Sequence, residues 1–126
     1  MNIPPAVSKW GGLAVTSFIC LAMGFSAFAK LTAQPPVLEM MTSKIGFPAD
    51  VLLPIGILEL ACVALYAFPA TSVLGAVLLT GYYGGAITAH VRIHDDFTPL
   101  IILGILTWLG IYLREPRLQA LLPLRR

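Results

Sequence analysis

Apolar residues fall along this chain in four long blocks, separated by short polar or proline-bearing stretches. A helix rises 1.5 Å per residue, so roughly 20 mostly apolar residues cross the hydrocarbon core of a bilayer. The blocks at 11–29, 48–68, 71–89 and 99–113 meet that requirement. The first lies between Lys9 and Lys30, and Arg114 closes the fourth. The pattern predicts an all-α fold, a four-helix transmembrane bundle.

The separators carry their own signals. Residues 33–50 hold Pro35, Pro36, Glu39, Lys44, Gly46, Pro48 and Asp50, and read as the one long polar connection. Pro69-Ala70-Thr71 is too short for anything but a tight antiparallel hairpin. The residue before a proline disfavours helix, so the break belongs at Phe68. Thr71 or Ser72 suits the cap of the third helix. Asp96 or Thr98 suits the cap of the fourth, with Pro99 in its first turn. The first block, with Lys9 before it and Ala27-Phe28-Ala29 near its end, also resembles a signal peptide. Its apolar run of about 19 residues exceeds the 7–15 of a signal core, which favours a retained span. No internal repeat or low-complexity segment is visible.

Composition agrees with a lipid environment. Of the 126 residues, 58% are hydrophobic and 11% charged, against about 25% charged in soluble domains. Mean hydropathy is +0.87. A soluble enzyme, a disordered tail and a nucleic-acid binder are excluded; the formal charge of +2 is too small and too dispersed for a phosphate footprint. Two cysteines make neither a disulfide framework nor a zinc cluster. With four spans both termini share a side. That side carries Lys9, Arg114, Arg117, Arg125 and Arg126, and the other Lys30, Lys44 and Arg92. The basic excess places both termini of this multi-pass chain in the cytoplasm. The tail from Pro116 onward mixes leucines with arginines, and either lies along the inner interface or frays.

Glu59 stands out. It is the one charged residue in the middle of any block, and a carboxylate at mid-bilayer costs roughly 2.5–3.5 kcal/mol on insertion scales. Such a group serves as a proton carrier, a cation ligand or a polar ligand's partner, or else is a neutral hydrogen-bonding group between helices. Depth counting puts it about 12–16 Å below the outer face. Tyr82, Tyr83 and Trp108 come at similar depth, which suggests an aromatic-walled pocket around Glu59; ordinary bundle packing produces the same layering. Lys30 and His90 fall one layer outward. A lysine at a span end usually snorkels to headgroups. His90 and His94, four apart with Asp95 beside them, are a weak metal pair, and no metal site is assigned. Gly81-x-x-x-Gly85-x-x-x-Ala89 reads as a small-residue stripe for close helix approach. Gly24, Gly56, Gly104 and Gly110 suit similar contacts. On that reading Gly85→Leu loosens the bundle more than Gly11→Leu. Cys20 and Cys62 read as small core residues.

Four segments resemble the DoxX-like membrane proteins in order and spacing: Gly24 to Lys30-Leu31 ending the first block, Gly46-Phe47-Pro48, Ile55-Gly56-Ile57-Leu58-Glu59-Leu60, and Ala89-His90 ending the third. The resemblance implies a single transmembrane domain over residues 1–126 and draws attention to Lys30, Glu59 and His90. The family takes its name from a subunit of a thiosulfate:quinone oxidoreductase, and some members look like partners of redox proteins. The resemblance therefore implies a quinone-like or other small apolar ligand, or an accessory role in a membrane redox system, without catalytic activity of its own; with the depth count added, the candidate ligand-binding residues are Glu59, Tyr82, Tyr83, Trp108, Lys30 and His90. A small proton-coupled transporter using Glu59 and a purely structural subunit are the alternatives. The partners implied are the lipid bilayer, a redox enzyme and a second copy of the chain, and not nucleic acid. The orientation is directly testable: we expect a cytoplasm-dependent fluorescent reporter fused to the C-terminus to be active. Activity only of a periplasm-dependent reporter reverses the topology.

Overall fold

The computed structural model describes residues 3–125; Arg126, counted above with the terminal basic residues, lies outside them. Six α-helices follow in order. They are α1 (Gly12–Leu31), α2 (Pro35–Glu39), α3 (Leu52–Ala67), α4 (Ser72–Arg92), α5 (Thr98–Arg114) and α6 (Pro116–Gln119). No strand occurs among the described residues. The four long helices pack in a closed cycle, α1 on α3, α3 on α4, α4 on α5 and α5 back on α1.

Three helical stretches, Val7–Leu31, Ala49–Ala67 and Pro69–Arg92, are long and apolar enough to cross a membrane. Thr98–Arg114 is apolar but shorter, at the lower edge of a spanning length. The outer faces of the bundle are covered in large apolar side chains. Leu21 and Phe25 are three-quarters exposed, and Leu58, Val77 and Ile105 face outward on the other long helices. Apolar exposure on this scale suits hydrocarbon and not water.

Local chemistry sets the helix ends. Phe68 is extended (φ −75°, ψ 128°) ahead of Pro69, where the chain reverses. Thr71 is the N-cap residue of α4, but its hydroxyl donates back to the Leu65 carbonyl at 2.8 Å, and that of Ser72 donates to Pro69. The expected hydroxyl cap is thus replaced by hydroxyls that satisfy carbonyls left over where α3 ends. Before α5, the Asp96 carboxylate accepts from the Thr98 N–H at 3.0 Å, and this hydrogen bonding holds its pKa below the ordinary carboxylate range. The opposite ends of α1 and α4 share one device. Ala33 (φ 48°) and His94 (φ 56°) adopt the left-handed conformation. Gln34 then donates to Ala29, and Asp95 to His90, closing two Schellman turns. Lys30 and His90 therefore sit in the last turns of their helices.

Residues 33–50 are less open than their polar composition implied. Two prolines start α2, a wide helical turn continues through Met40–Lys44, and Gly46 (φ 89°) redirects the chain. Met41 and Ile45 are buried against Leu52 and Ala89, forming a small second core. Arg92 ties the segment down by donating to the Ile45 carbonyl.

The main core lies toward the other end, around Ile19, Met23, Tyr66, Leu79, Tyr83 and Ile111. Its polar knot is Thr107. The Tyr66 hydroxyl donates to the Thr107 carbonyl at 2.7 Å. The Thr107 hydroxyl donates to Leu103, so its oxygen accepts from Tyr83 at 2.9 Å. The tail is partly anchored here, with Leu118 buried in this core.

Close helix approach is made by glycines other than the expected stripe. A Cβ at Gly75 would overlap the Tyr66 backbone, and one at Gly110 would stand 2.5 Å from the Tyr66 hydroxyl. At Gly56 it would meet Leu31 at 3.1 Å, whereas Gly24 is open and Gly104 has ordinary spacing. At Gly81, Gly84 and Gly85 nothing lies within 4 Å, while at Gly11 a Cβ would touch Leu113 at 3.4 Å. The expected order of Gly85→Leu and Gly11→Leu is therefore reversed. We expect Gly75→Ala to lower the melting temperature in detergent, at a cost at or above the ~1–3 kcal/mol of ordinary overpacking. Gly85→Leu should melt close to the parent, since an added Cβ there meets open space and the side chain can extend into the gap. Equal melting of parent and Gly75→Ala contradicts the packing described.

Candidate functional site

Glu59 lies ten residues past Ala49, about 15 Å along a helical stretch that ends at Ala67. Its side chain is fully buried. The Lys30 ammonium reaches inward from α1 and stands 3.1 Å from its Oε1. The same oxygen accepts from the Tyr82 hydroxyl of α4 at 3.0 Å. Lys30 also donates to the Ser26 hydroxyl one turn earlier, at 2.7 Å. Three helices thus converge on one carboxylate oxygen. Glu59 Oε2 is buried without a partner among the described residues.

Lys30 corrects the expectation of a snorkelling lysine. Its side chain is only 13% exposed and points to an acid, not to headgroups. The reason is the cost of leaving a carboxylate alone at this depth. Opposite charges at hydrogen-bonding distance offset much of their mutual desolvation, and the Ser26 and Tyr82 hydroxyls satisfy further valences.

Beside this group lies a half-open cavity of about 890 Å³, bounded by all four long helices and roofed by Val37, Met40, Met41 and Phe47 of the connection between α1 and α3. Its wall is mostly apolar. Ser26, Lys30, Glu59, Tyr82 and His90 supply its polar side chains, and Gly81 and Gly85 also line it. The stripe read as a packing surface is therefore a cavity wall, and its missing side chains are part of the empty space. Cys62, a free and buried thiol, belongs to the main core and also lines the cavity, and Cys20 packs against the same core.

His90 stands at the mouth. Its Nδ1 lies 2.7 Å from the Ala86 carbonyl, which can only accept, so Nδ1 carries the hydrogen. Nε2 is 3.8 Å from an Asp95 carboxylate oxygen. His94 does not share a helical face with His90, because the left-handed turn at His94 ends the helix between them. No cluster of three His, Cys, Asp or Glu occurs among the described residues.

The structure thus brings Lys30, Glu59, Tyr82 and His90 around one cavity. It does not bring Tyr83 or Trp108 there. Tyr83 turns into the main core toward Thr107. The Trp108 indole N–H donates to Thr80 at 2.7 Å, away from Glu59. Similar depth did not put Trp108 and Glu59 together, because a bundle also has an angular coordinate. Ser26 and the roof residues were missed. Six apolar side chains, Val37, Leu38, Met40, Met41, Ile45 and Phe47, lie within the stretch read as polar and were the available signal.

Fold and site define an all-helical integral membrane protein with an apolar cavity beside a buried ion pair. The model of the DoxX-like family matches residues 14–111, and the chain belongs to that family. No curated protein and no solved structure matches the chain.

The ion pair decides what substitution at Glu59 should do. Removing one partner of a buried pair typically costs about 3–5 kcal/mol, while replacing both by apolar groups is often neutral. We expect Glu59→Gln to lower the melting temperature clearly and the double variant Lys30→Met with Glu59→Leu to recover most of the loss. Unchanged melting of Glu59→Gln refutes a stabilising pair.

Proposed function

We propose that this chain is a four-span protein of the bacterial inner membrane, with both termini in the cytoplasm. On this reading it binds a small apolar carbonyl compound of quinone type and serves as a ligand-binding or accessory subunit of a membrane redox system. The observation that carries the reading is the state of Lys30. Its ammonium has three N–H donors, two of which are held by Glu59 and Ser26, and the residue lines an otherwise apolar cavity. The third donor suits a carbonyl oxygen. Glu59 and Ser26 act as positioning residues, holding the ammonium at one place on the wall. Tyr82 presents a phenol edge beside it. The volume of about 890 Å³ falls in the range of small-molecule sites, and the width left by Gly81 and Gly85 suits a flat ring.

The same pairing weighs against transport driven by protons on Glu59. One carboxylate oxygen is held by two donors and the other is closed off from the surface. A carboxyl that exchanges protons with both sides of a membrane needs easier access.

The test is direct binding of a short-chain ubiquinone to the purified protein in detergent, followed by equilibrium dialysis. A hydrogen bond to a charged donor contributes about 1.5–3 kcal/mol, so the double variant Lys30→Met with Glu59→Leu should bind roughly 10–100-fold more weakly. Gly85→Leu should also weaken binding by filling the cavity while leaving the melting temperature in place. Failure of the parent to bind, or equal binding by the double variant, refutes the reading.

A further inference from the structure

A second pocket, of about 580 Å³, opens at the opposite end of the bundle from the cavity. It lies where the chain enters α1, α3 turns into α4 and α5 ends. Lys9 and Arg114 line it, together with Pro5, Leu13, Pro69 and Ser72. We propose that this pocket binds the phosphate headgroup of an anionic phospholipid, with Lys9 and Arg114 as its cationic contacts. The site is separate from the quinone reading and does not rest on it.

Charge is the first argument. Glu115 is the acid on the pocket wall, and its carboxylate is already held by Arg117. It accepts from the Arg117 Nε at 2.9 Å, from Nη2 at 3.3 Å and from the backbone N–H at 3.1 Å. Among the described residues no carboxylate pairs with Lys9 or Arg114. Lys9 instead lies 5.1 Å from the centre of the Trp10 ring. Arg114 stacks at 4.9 Å on the Tyr66 ring and donates one Nη2 hydrogen to the Tyr66 carbonyl, which holds the guanidinium in place. The pocket therefore keeps a net positive wall.

Depth is the second argument. Lys9 lies in the first turn of the helical stretch Val7–Leu31, three residues before α1, and Arg114 is the last residue of α5. Both stand at the level where apolar spans give way to polar chain, which is the headgroup level of a bilayer. Trp10 is 61% exposed there, and Phe68, Leu121 and Leu124 are exposed at the same end. Exposed Trp with clustered Leu and Phe marks an interfacial belt. The third argument is shape. Pro5, Leu13 and Pro69 give the pocket an apolar side, suited to the glycerol and acyl-ester portion behind a phosphate. A basic pocket between helix ends is a recognised form of lipid headgroup site.

The experiment uses the full chain in micelles of uncharged detergent. Dioleoyl phosphatidylglycerol, dioleoyl phosphatidylcholine and inorganic phosphate are added separately. The readouts are lipid retained in native mass spectrometry and the melting temperature. We expect retention and stabilisation with phosphatidylglycerol only. Lys9→Glu should weaken retention more than about tenfold, since it removes one attraction and adds a repulsion. Leu13→Trp, which fills the pocket without changing charge, should weaken it as well. Arg125→Glu, in the tail outside the pocket, should stay within about twofold of the parent. Equal retention of the two lipids overturns the proposal. So does an Arg125→Glu loss as large as that of Lys9→Glu, which indicates diffuse attraction to the tail. Inorganic phosphate that stabilises as well as the lipid also overturns it, because the pocket would then be a site for the free anion.

Discussion

One buried carboxylate organises this molecule. Glu59 sits midway along α3 and is fully buried, so its charge must find its counterpart within the protein. Its counterpart comes from a different helix, at a residue whose side chain is long enough to choose between the interface and the interior. The inward choice of Lys30 sets the relative height of α1 and α3, and the Tyr82 hydroxyl brings α4 to the same oxygen. A polar contact between helices is worth more as a positional constraint than as net stability, because desolvation offsets much of the attraction. The consequence is a fixed ammonium on the wall of an apolar space.

Packing elsewhere follows the logic of helices in lipid. Between helices the hydrophobic effect has little to offer, since lipid tails are as apolar as leucine. Association then depends on close backbone approach and on interhelical hydrogen bonds. Gly75 lets α4 lie against the Tyr66 backbone, and Gly110 makes room for the Tyr66 hydroxyl as it donates to Thr107. The tightest glycine contacts, at Gly75 and Gly110, are both made with Tyr66. Beside the cavity the glycines of α4 leave open space instead of closing a contact. The same residue type thus does opposite things one to three turns apart. The two ends also differ in chemistry. One holds a roofed apolar cavity with an ion pair, and the other a shallow basic pocket among interfacial aromatic and leucine side chains.

Much of this was legible in the chain alone, because hydrocarbon imposes a strong and local rule. An apolar run of span length must be helical, since its backbone has no other hydrogen-bond partners. A proline at position 69 must break it, and Glu59 must matter, since a lone acid in such a run is costly. None of these inferences requires knowing what lies beside what. The partners of Glu59 are a different kind of fact. Depth along each helix follows from counting residues, but rotation about the helix axis and the choice of neighbours depend on how all the helices pack together. That is why Tyr82 and not Tyr83 reaches the carboxylate, why Trp108 at similar depth bonds to Thr80, and why Lys30 turns inward. The roof formed by residues 37–47 was hidden for the same reason. Its apolar side chains are too few and too irregular to form a span, and only a cavity already made by other helices gives them a surface to cover.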